Sequence, residues 1–271
     1  MNTPINIRNG YNPIQPTVRQ SGESVIYVEV LPDLRLQPYI YCYWELKTKQ
    51  PIKDPFTYRV VADGCIDIFF EPAQPLESFV MGFCKQYTEF ELDNSFHYIG
   101  IRFLPTMFPQ LFKTDASQLS NRTESLDAVV PPTAKFIAET FAPGQSITAI
   151  KPILDTYFLR HLSGISLDAD PRLYGAIASI MQKSGVLNVE TDIDTGISPR
   201  QLRRLFEYYI GDTAKTFSQV VRFQNILRAK PSMQSLRENK LFYDVGYYDQ
   251  AHFIKEFKNF YGVTPSRAFG R

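Results

Sequence analysis

Proline is unevenly distributed along this chain of 271 residues, and its placement limits what each part can fold into. Fifteen of the 19 prolines precede residue 171, and the other four, of which Pro171 is the first, lie in the last part. Because proline is excluded from helix interiors and central strands, we expect short elements in the first part and mostly helices in the last. A cluster of Gly, Ser, Asp and Pro between His161 and Pro171 marks the boundary. The length favours two domains, which we place at 1–165 and 166–271.

The first part contains runs of β-branched and aromatic residues that predict strands. These runs cover 25–30, 39–46, 58–70, 78–83, 88–92 and 98–103. The Asp63-Gly64 pair lies inside the third run and predicts a hairpin turn there. Short strands in this number predict an α+β chain whose first domain is a β-barrel or sandwich of the cupin-like kind. Helical spacing in 106–112, 117–122 and 131–162 predicts helices that follow the strands.

Charge divides at the same place as proline. Residues 1–170 hold 14 Lys and Arg against 19 Asp and Glu, a net charge of −5. Residues 171–271 hold 15 against 9, a net charge of +6. An acidic part joined to a basic part indicates that the second part contacts a polyanion, although a solvated basic surface is an open alternative at this point.

Residues 189–210 follow the order of a helix-turn-helix unit, in which one helix enters the DNA major groove and the other braces it. Gly196 suits the turn, Ser198 is a typical N-cap, and Pro199 suits the first helical position. In the helix that follows, Leu202 and Phe206 fall on one face. The opposite face carries side chains suited to phosphates and guanine edges, namely Arg200, Gln201, Arg203 and Arg204.

A second copy of the same order occupies residues 240–261. Gly246 provides its turn, and Asp249 provides a cap that lies 51 positions after Ser198. The outer side of its second helix carries Gln250, Ala251, Lys255 and Lys258. Between the copies, Thr213–Ala229 predicts one helix of about 25 Å at 1.5 Å per residue. Such a helix is suited to hold two reading helices about 34 Å apart, one turn of B-DNA.

Three segments of the last part resemble AraC-type transcriptional regulators: ISPRQLRRLFEYYIG (197–211), VVRFQNILRA (220–229) and GYYDQAHFIKEFKNFYGVTPSRAF (246–269). The resemblance covers 172–271 and implies a seven-helix domain with two helix-turn-helix units. It also implies base contacts by Arg200, Arg203, Arg204, Gln250, Ala251 and Lys255. The sequence departs from the family at Asn239 and Phe242, where small alanines are usual. We therefore expect the first unit to carry more of the sequence readout.

The first part is similar to a sensor domain found in that family, through QPYIYCYW (37–44), VVADGCIDIFF (60–70), IGIRFLP (99–105) and DASQLSNR (115–122). This similarity implies a β-barrel for effector binding and dimerisation. Arg102 alternates with Ile101 and Phe103, so in a barrel it faces either solvent or the lumen. A lumenal arginine needs an acid, Asp63 or Asp67, or a bound anion. We take Arg102, Asp63 and Trp44 as candidate effector contacts.

Few residues point to other chemistry. Cys42, Cys65 and Cys84 are at least 19 positions apart, which excludes a CxxC metal clip and predicts reduced, buried thiols. His97, His161 and His252 are also far apart, and we expect no metal, no cofactor and no catalytic residue. GxSxG, P-loop and Rossmann fingerprints are absent from the sequence. The lack of an 18-residue apolar run and of a leader predicts a cytoplasmic protein without a membrane partner.

These patterns predict a bacterial DNA-binding transcription regulator, not an enzyme, that a small-molecule effector or dimerisation controls. Double-stranded DNA and an effector are the expected partners, and a second copy of the chain and RNA polymerase are further candidates. Two alternatives stay open: a DNA-repair or other enzyme that carries an AraC-type domain, and an effector-free DNA-binding scaffold. A cavity of a few hundred Å³ in the first domain would favour sensing over the scaffold.

Overall fold

The first half of the chain forms two antiparallel sheets. The computed structural model describes residues 7–16, 24–167, 170–230 and 246–269. Its strands are β1 (Val25–Val30), β2 (Ile40–Thr48), β3 (Phe56–Val60), β4 (Ile66–Phe70), β5 (Ser78–Met81), β6 (Thr88–Leu92), β7 (His97–Phe103) and β8 (Thr123–Ser125). Six of them form one sheet in the order β1-β2-β7-β4-β5-β8, and β3 pairs with β6 in a second sheet.

The six-stranded sheet is apolar on both faces. On one face, Ile99, Ile101 and Phe103 of β7 belong to a large core that includes the helices. On the other face, Trp44 and Leu46 of β2 belong to a smaller core that faces the two-stranded sheet. Because successive side chains of a strand point to opposite faces, Arg102 faces the two-stranded sheet between Ile101 and Phe103. Of the two positions that the sequence leaves open for Arg102, solvent or interior, the structure shows the interior one, since the residue is 1% exposed.

The predicted hairpin at Asp63-Gly64 is wrong. Strands β3 and β4 do not pair with each other, because β3 pairs with β6 while β4 lies between β7 and β5. The segment between them carries the chain from one sheet to the other. Gly64 supplies a left-handed conformation there, with φ of 72°. Among the two predicted architectures, the described strands form an open two-sheet arrangement rather than a closed barrel.

Helices cover the large-core face of the six-stranded sheet. They are α1 (Met107–Phe112), α2 (Leu126–Val129), α3 (Pro131–Thr140) and α4 (Ile147–Ser163). The predicted helix at 117–122 is replaced by a 3₁₀ turn, Ala116–Leu119, which Asp115 caps. The chain ends this turn at Asn121, which has φ of 56°, and then enters β8.

The C-terminal part is helical, as the sequence predicts. Its described helices are α5 (Pro171–Gln182), α6 (Val189–Asp192), α7 (Pro199–Ile210), α8 (Ala214–Ala229), α9 (Gln250–Tyr261) and α10 (Pro265–Phe269). Thr213 caps α8, so the predicted helix between the two units is confirmed. No helix in the described ranges has the length and apolar character that a membrane crossing requires.

One hydrophobic core runs through both parts of the chain. It joins Phe103 and Phe108 of the N-terminal part to Phe206 and Phe217 of the C-terminal part. Helix α7 packs against α1 and against the 3₁₀ turn at Ala116–Leu119. A continuous core of this kind holds the two parts in one arrangement. The boundary at 165/166 stays a prediction.

Gly100 generates a stability prediction because it lies directly under the only tryptophan of the chain. Gly100 and Trp44 are paired across β7 and β2, and a Cβ on Gly100 would lie 1.9 Å from Trp44 Cε2. We expect Gly100→Ala to lower the free energy of unfolding by about 1–3 kcal/mol, the cost of overpacking. Urea unfolding followed by Trp44 fluorescence measures the change.

Gly175 provides the matched control, since it lies inside α5 and a Cβ at this position would extend into open space. Gly175→Ala should raise the unfolding free energy by up to about 1 kcal/mol, because alanine favours a helix interior over glycine. Equal effects of the two substitutions would contradict the packing of Trp44 on Gly100.

Candidate nucleic-acid interface and intersheet cavity

Helix α7, the first reading helix, begins with a complete capping box. The Ser198 hydroxyl accepts a hydrogen bond from the Gln201 N–H at 3.3 Å, and Gln201 Oε1 accepts one from the Ser198 N–H at 3.1 Å. Pro199 occupies the first helical turn, and Gly196 adopts φ of 69° in the preceding turn. The predicted start of this helix is therefore confirmed. The side-chain oxygen of Gln201 is used by the cap.

The two faces of the first reading helix differ in burial as the sequence predicts. Leu202 and Phe206 are buried. The opposite face is exposed and carries Arg200, Gln201, Arg203 and Arg204. Arg203 is held by Glu207 one turn later, at 2.7 Å. Two guanidinium groups therefore project beside a third that is held in an ion pair, and all three lie within reach of a polyanion.

Helix α9, the second reading helix, has the same design. The Asp249 side chain accepts from the His252 N–H at 2.7 Å, and Gly262 ends the helix with φ of 94°. Phe253, Phe257 and Phe260 are buried. Its exposed residues include Gln250, Ala251, Lys255 and Lys258. The bracing helix predicted before Gly246, with Asn239 and Phe242, lies outside the described residues, so the expected dominance of the first unit stays a prediction.

Both reading helices rest on α8, the linking helix. Phe217 of the linking helix packs on Phe206, with ring centroids 6.1 Å apart. Phe223 packs on Phe257 of the second reading helix at 5.4 Å. Arg203 and His252 line one shared cleft of about 710 Å³. The two reading helices therefore face a common cleft on one side of the linking helix.

A buried carboxylate fixes the second reading helix to the linking helix. Glu256 is 8% exposed, and its oxygens accept from Arg222 at 2.7 Å and from Gln219 at 2.8 Å. The Tyr247 hydroxyl donates to the same carboxylate. The Arg222 guanidinium also lies 4.0 Å above the Tyr247 ring. Because the Glu256 carboxylate accepts hydrogen bonds from Arg222, Gln219 and Tyr247, these contacts orient the start of the second reading helix on the linking helix.

Both reading helices end against the N-terminal part. Asp212, just after the first one, pairs with Lys85 at 2.7 Å. In the second one, Asn259 Nδ2 donates to the Lys85 carbonyl at 2.9 Å, and the Phe260 carbonyl accepts from the Ala62 N–H at 3.2 Å. Movement of the loops around Ala62 and Lys85 would therefore be felt at the ends of both reading helices.

A cavity of about 440 Å³ lies between the two sheets, and we call it the intersheet cavity. Its walls are mostly apolar and aromatic, and Trp44 belongs to them. The charged residues among its lining are Asp67, Glu89 and Glu91. The Trp44 indole N–H donates to Asp67 Oδ2 at 2.9 Å, so the only tryptophan reports on the floor of the cavity.

Arg102 lies beside this floor among three carboxylates. Its guanidinium is 2.9 Å from Asp67, 3.5 Å from Asp63 and 3.7 Å from Glu29. The structure thus brings together Arg102, Asp63 and Trp44, the three candidate effector contacts, around Asp67. Burial raises the pKa of Asp67 to about 6; Arg102 opposes this rise, and the Asp63 carboxylate adds to it. The hydrogen bonds that Asp67 accepts from Arg102 place its carboxyl group directly beside a counter-charge.

Sequence reasoning did not identify Glu256, Arg222 or Gln224, whose contacts join the elements of the C-terminal part to each other and to the loop at Ala62. One signal was present: Glu256 falls on the inward face of a helix that is otherwise lined by phenylalanines. A charged residue on an apolar face predicts a buried partner. In the part of the chain that the structure describes, no group of His, Cys, Asp or Glu is arranged to hold a metal ion.

Two family models match separate parts of the chain. Residues 194–271 match the family model of a helix-turn-helix domain, and residues 28–125 match a domain of unknown function (DUF6597). An uncharacterized HTH-type transcriptional regulator of Haemophilus influenzae is 32% identical over 132 residues, which are 45% of this chain and 44% of that protein. The chain thus matches less than half the length of this relative.

Solved structures of ToxT from Vibrio cholerae are similar at a low level. An apo ToxT variant from strain SCE256 has a TM-score of 0.39 at 10% identity. The match covers 91% of this chain and 96% of the ToxT chain. ToxT from strain O395 bound to (E)-4-(8-methylnaphthalen-1-yl)but-3-enoic acid has a TM-score of 0.32 at 11% identity, with 92% and 99% covered. Scores below 0.5 at such identities carry no conclusion for this chain.

Glu256 and Glu207 generate a paired prediction, since each is an ion-pair partner on a reading helix. Glu256→Ala leaves Arg222 buried without its counter-charge and should lower the unfolding free energy by about 3–5 kcal/mol. Glu207→Ala removes an exposed pair with Arg203 and should cost less than about 1 kcal/mol. Urea unfolding measures both. A loss for Glu256→Ala no larger than that for Glu207→Ala would contradict the role given to the buried carboxylate.

Proposed function

We propose that this protein is a sequence-specific DNA-binding transcription regulator. The proposal starts from the AraC-type helix-turn-helix domain that the C-terminal part contains. One observation carries the proposal. Two capped helices with exposed cationic and amide side chains face a common cleft on a single linking helix. Helices held side by side in this way are suited to enter successive major-groove segments of one duplex.

In this proposal the cations of both reading helices contact phosphates and guanine edges, and the amides contact adenine edges. Arg200, Arg203 and Arg204 act in the first unit, and Gln250, Lys255 and Lys258 act in the second. Ala251 offers only a methyl contact to a thymine. Gln201 contributes chiefly to the cap, because its side-chain oxygen already accepts from Ser198. The name of the Haemophilus influenzae relative supports the same function.

The proposal includes control by a small molecule in the intersheet cavity. A volume of about 440 Å³ falls within the usual range of small-molecule sites, and it favours sensing over an effector-free scaffold. The cysteines disfavour the alternative of thiol-based repair chemistry. Burial raises the pKa of Cys84 to about 12 and those of Cys42 and Cys65 well above the usual value, which suppresses the reactive thiolate.

A chain of contacts supports communication between the cavity and the reading helices. Arg102 pairs with Asp67 at the cavity floor and lies 3.5 Å from Asp63. Next to Asp63, the Ala62 carbonyl accepts from Gln224 Nε2 of the linking helix at 2.7 Å. The Ala62 N–H donates to Phe260 at the end of the second reading helix. A ligand that moves Asp67 would thus act through Arg102 and Asp63 on the loop at Ala62. From there it would act on both the linking helix and the end of the second reading helix.

The N-terminal segment, residues 7–16, contacts the same loop and the same linking helix, at Asp63 and Gln224. Gln15 Nε2 donates to Asp63 Oδ2 at 2.8 Å, and the Tyr11 hydroxyl donates to the Asp63 carbonyl. Gln224 Oε1 accepts from the Ile14 N–H at 2.8 Å.

We propose double-stranded DNA in a bacterial cytoplasm as the main partner, with a second copy of the chain and RNA polymerase as further partners.

Salt dependence tests the DNA-binding function. Binding of a labelled 40-base-pair duplex should weaken as salt rises, because bound cations release counterions from the phosphates. Arg200→Ala and Arg204→Ala should each lower the slope of log K against log salt by about one. Lys135→Ala, at an exposed position of α3, is the matched control and should leave the slope unchanged. A slope near zero, or equal slopes in all four proteins, would contradict the proposal.

Trp44 fluorescence tests the communication. Duplex binding should change Trp44 emission, because coupling between two sites is reciprocal. Gln224→Ala removes the side chain that joins Ala62 to the linking helix, and it should reduce this change by more than half in protein that still folds. Gln118→Ala, at an exposed position in the 3₁₀ turn, is the control. A full-sized emission change in Gln224→Ala would contradict a route through Ala62.

A further inference from the structure

The walls of the intersheet cavity are unusually rich in aromatic rings. Six of its lining residues are aromatic: Trp44, Tyr58, Phe69, Phe79, Phe90 and Tyr98. They are grouped around Phe69, whose ring centroid lies 5.4 Å from that of Phe79, 6.4 Å from that of Phe90 and 6.5 Å from that of Trp44. Aromatic faces carry negative charge density and attract cations.

Negatively charged residues outnumber positively charged ones around the cavity. Asp67, Glu89 and Glu91 line the cavity, and none of its described lining residues is a Lys, Arg or His. Glu89 is paired with Arg59 at 2.7 Å, whereas Glu91 is exposed at the rim. At the floor, one guanidinium, that of Arg102, faces the carboxylates of Asp67, Asp63 and Glu29. The local charge is therefore negative at both ends of the cavity.

This charge distribution disfavours an anionic ligand. Among the described residues, Arg102 is the buried cation nearest the floor, and its Nε and Nη2 already donate to Asp67. Its Nη1 has no hydrogen-bond partner but lies 3.7 Å from the Glu29 carboxylate. A carboxylate ligand would enter beside Asp67 and Glu91 and would lose its hydration, and Arg102 is not among the described residues that line the cavity. A ligand cation would instead gain from the rings and from the excess of carboxylates.

We infer that the intersheet cavity binds an organic cation, an aryl or alkyl ammonium of one or two rings, which contacts the six rings and is attracted by Asp67 and Glu91. The inference rests on the proposed function, because it names the class of effector that such a regulator senses. Arg102 then has a positioning role: it holds Asp67 at the floor and does not itself bind the ligand.

Three probes of similar shape and different charge test the inference on the full chain. They are 3-hydroxyphenyltrimethylammonium, its neutral isostere 3-tert-butylphenol, and 3-hydroxybenzoate. Calorimetric titration gives the affinities, and quenching of Trp44, the single tryptophan, reports binding in this cavity. The cation should bind at least about tenfold more tightly than the isostere, and the benzoate should bind more weakly than both.

Two charge-neutralising variants sharpen the test. Glu91→Gln at the rim should weaken the cation about threefold and leave 3-tert-butylphenol unchanged, because only the charged probe experiences the lost carboxylate. Asp127→Asn, at an exposed position on α2, should change neither affinity. Equal or tighter binding of the isostere or the benzoate would overturn the inference, and so would the failure of all three probes to bind.

The failure of this inference is distinguishable from that of the proposed function. The same protein is titrated with the 40-base-pair duplex in the absence of any probe. Protein that binds the duplex but prefers the benzoate overturns the organic-cation assignment alone. Protein that does not bind the duplex overturns the regulator, whatever the probes show.

Discussion

The buried face of the linking helix is the constraint on which the rest of the structure depends. Phe217 packs against the first reading helix, Phe223 packs against the second, and Gln224 bonds to the loop at Ala62. This one helix thereby sets the positions of both reading helices and ties them to the N-terminal part. Because all three contacts lie on a single element, a shift at any of them would move the same helix.

Buried charge is placed where orientation has to be kept. Glu256 with Arg222 orients the second reading helix, and Asp67 with Arg102 orients the floor of the intersheet cavity. Buried ion pairs add little net stability over apolar residues, yet losing one partner is costly. We therefore interpret both pairs as devices that fix geometry, with stability supplied mainly by the aromatic core around Phe103, Phe206 and Phe223.

The sequence predicted the helical part well because its signals are local. Ser198, Pro199 and Gly196 act within a few residues of each other, so caps and turns could be identified without a fold, and the resemblance to AraC-type regulators is confirmed for this part. Seven of the eight described strands, all but β8, were also predicted, but their partners were not. The Asp63-Gly64 pair fits a hairpin locally, whereas the pairing of β3 with β6 depends on distant residues. The cavity and the Glu256 contacts are long-range for the same reason.

We propose that the two reading helices, fixed on one linking helix, enter neighbouring major-groove segments of the same duplex. Selection of bound sequences from a pool of random duplexes tests it most directly. We expect an enriched site with two short sequence elements whose centres are about 10–10.5 base pairs apart, one helical turn. Enrichment of a single short element, or of two elements with variable spacing, would contradict it.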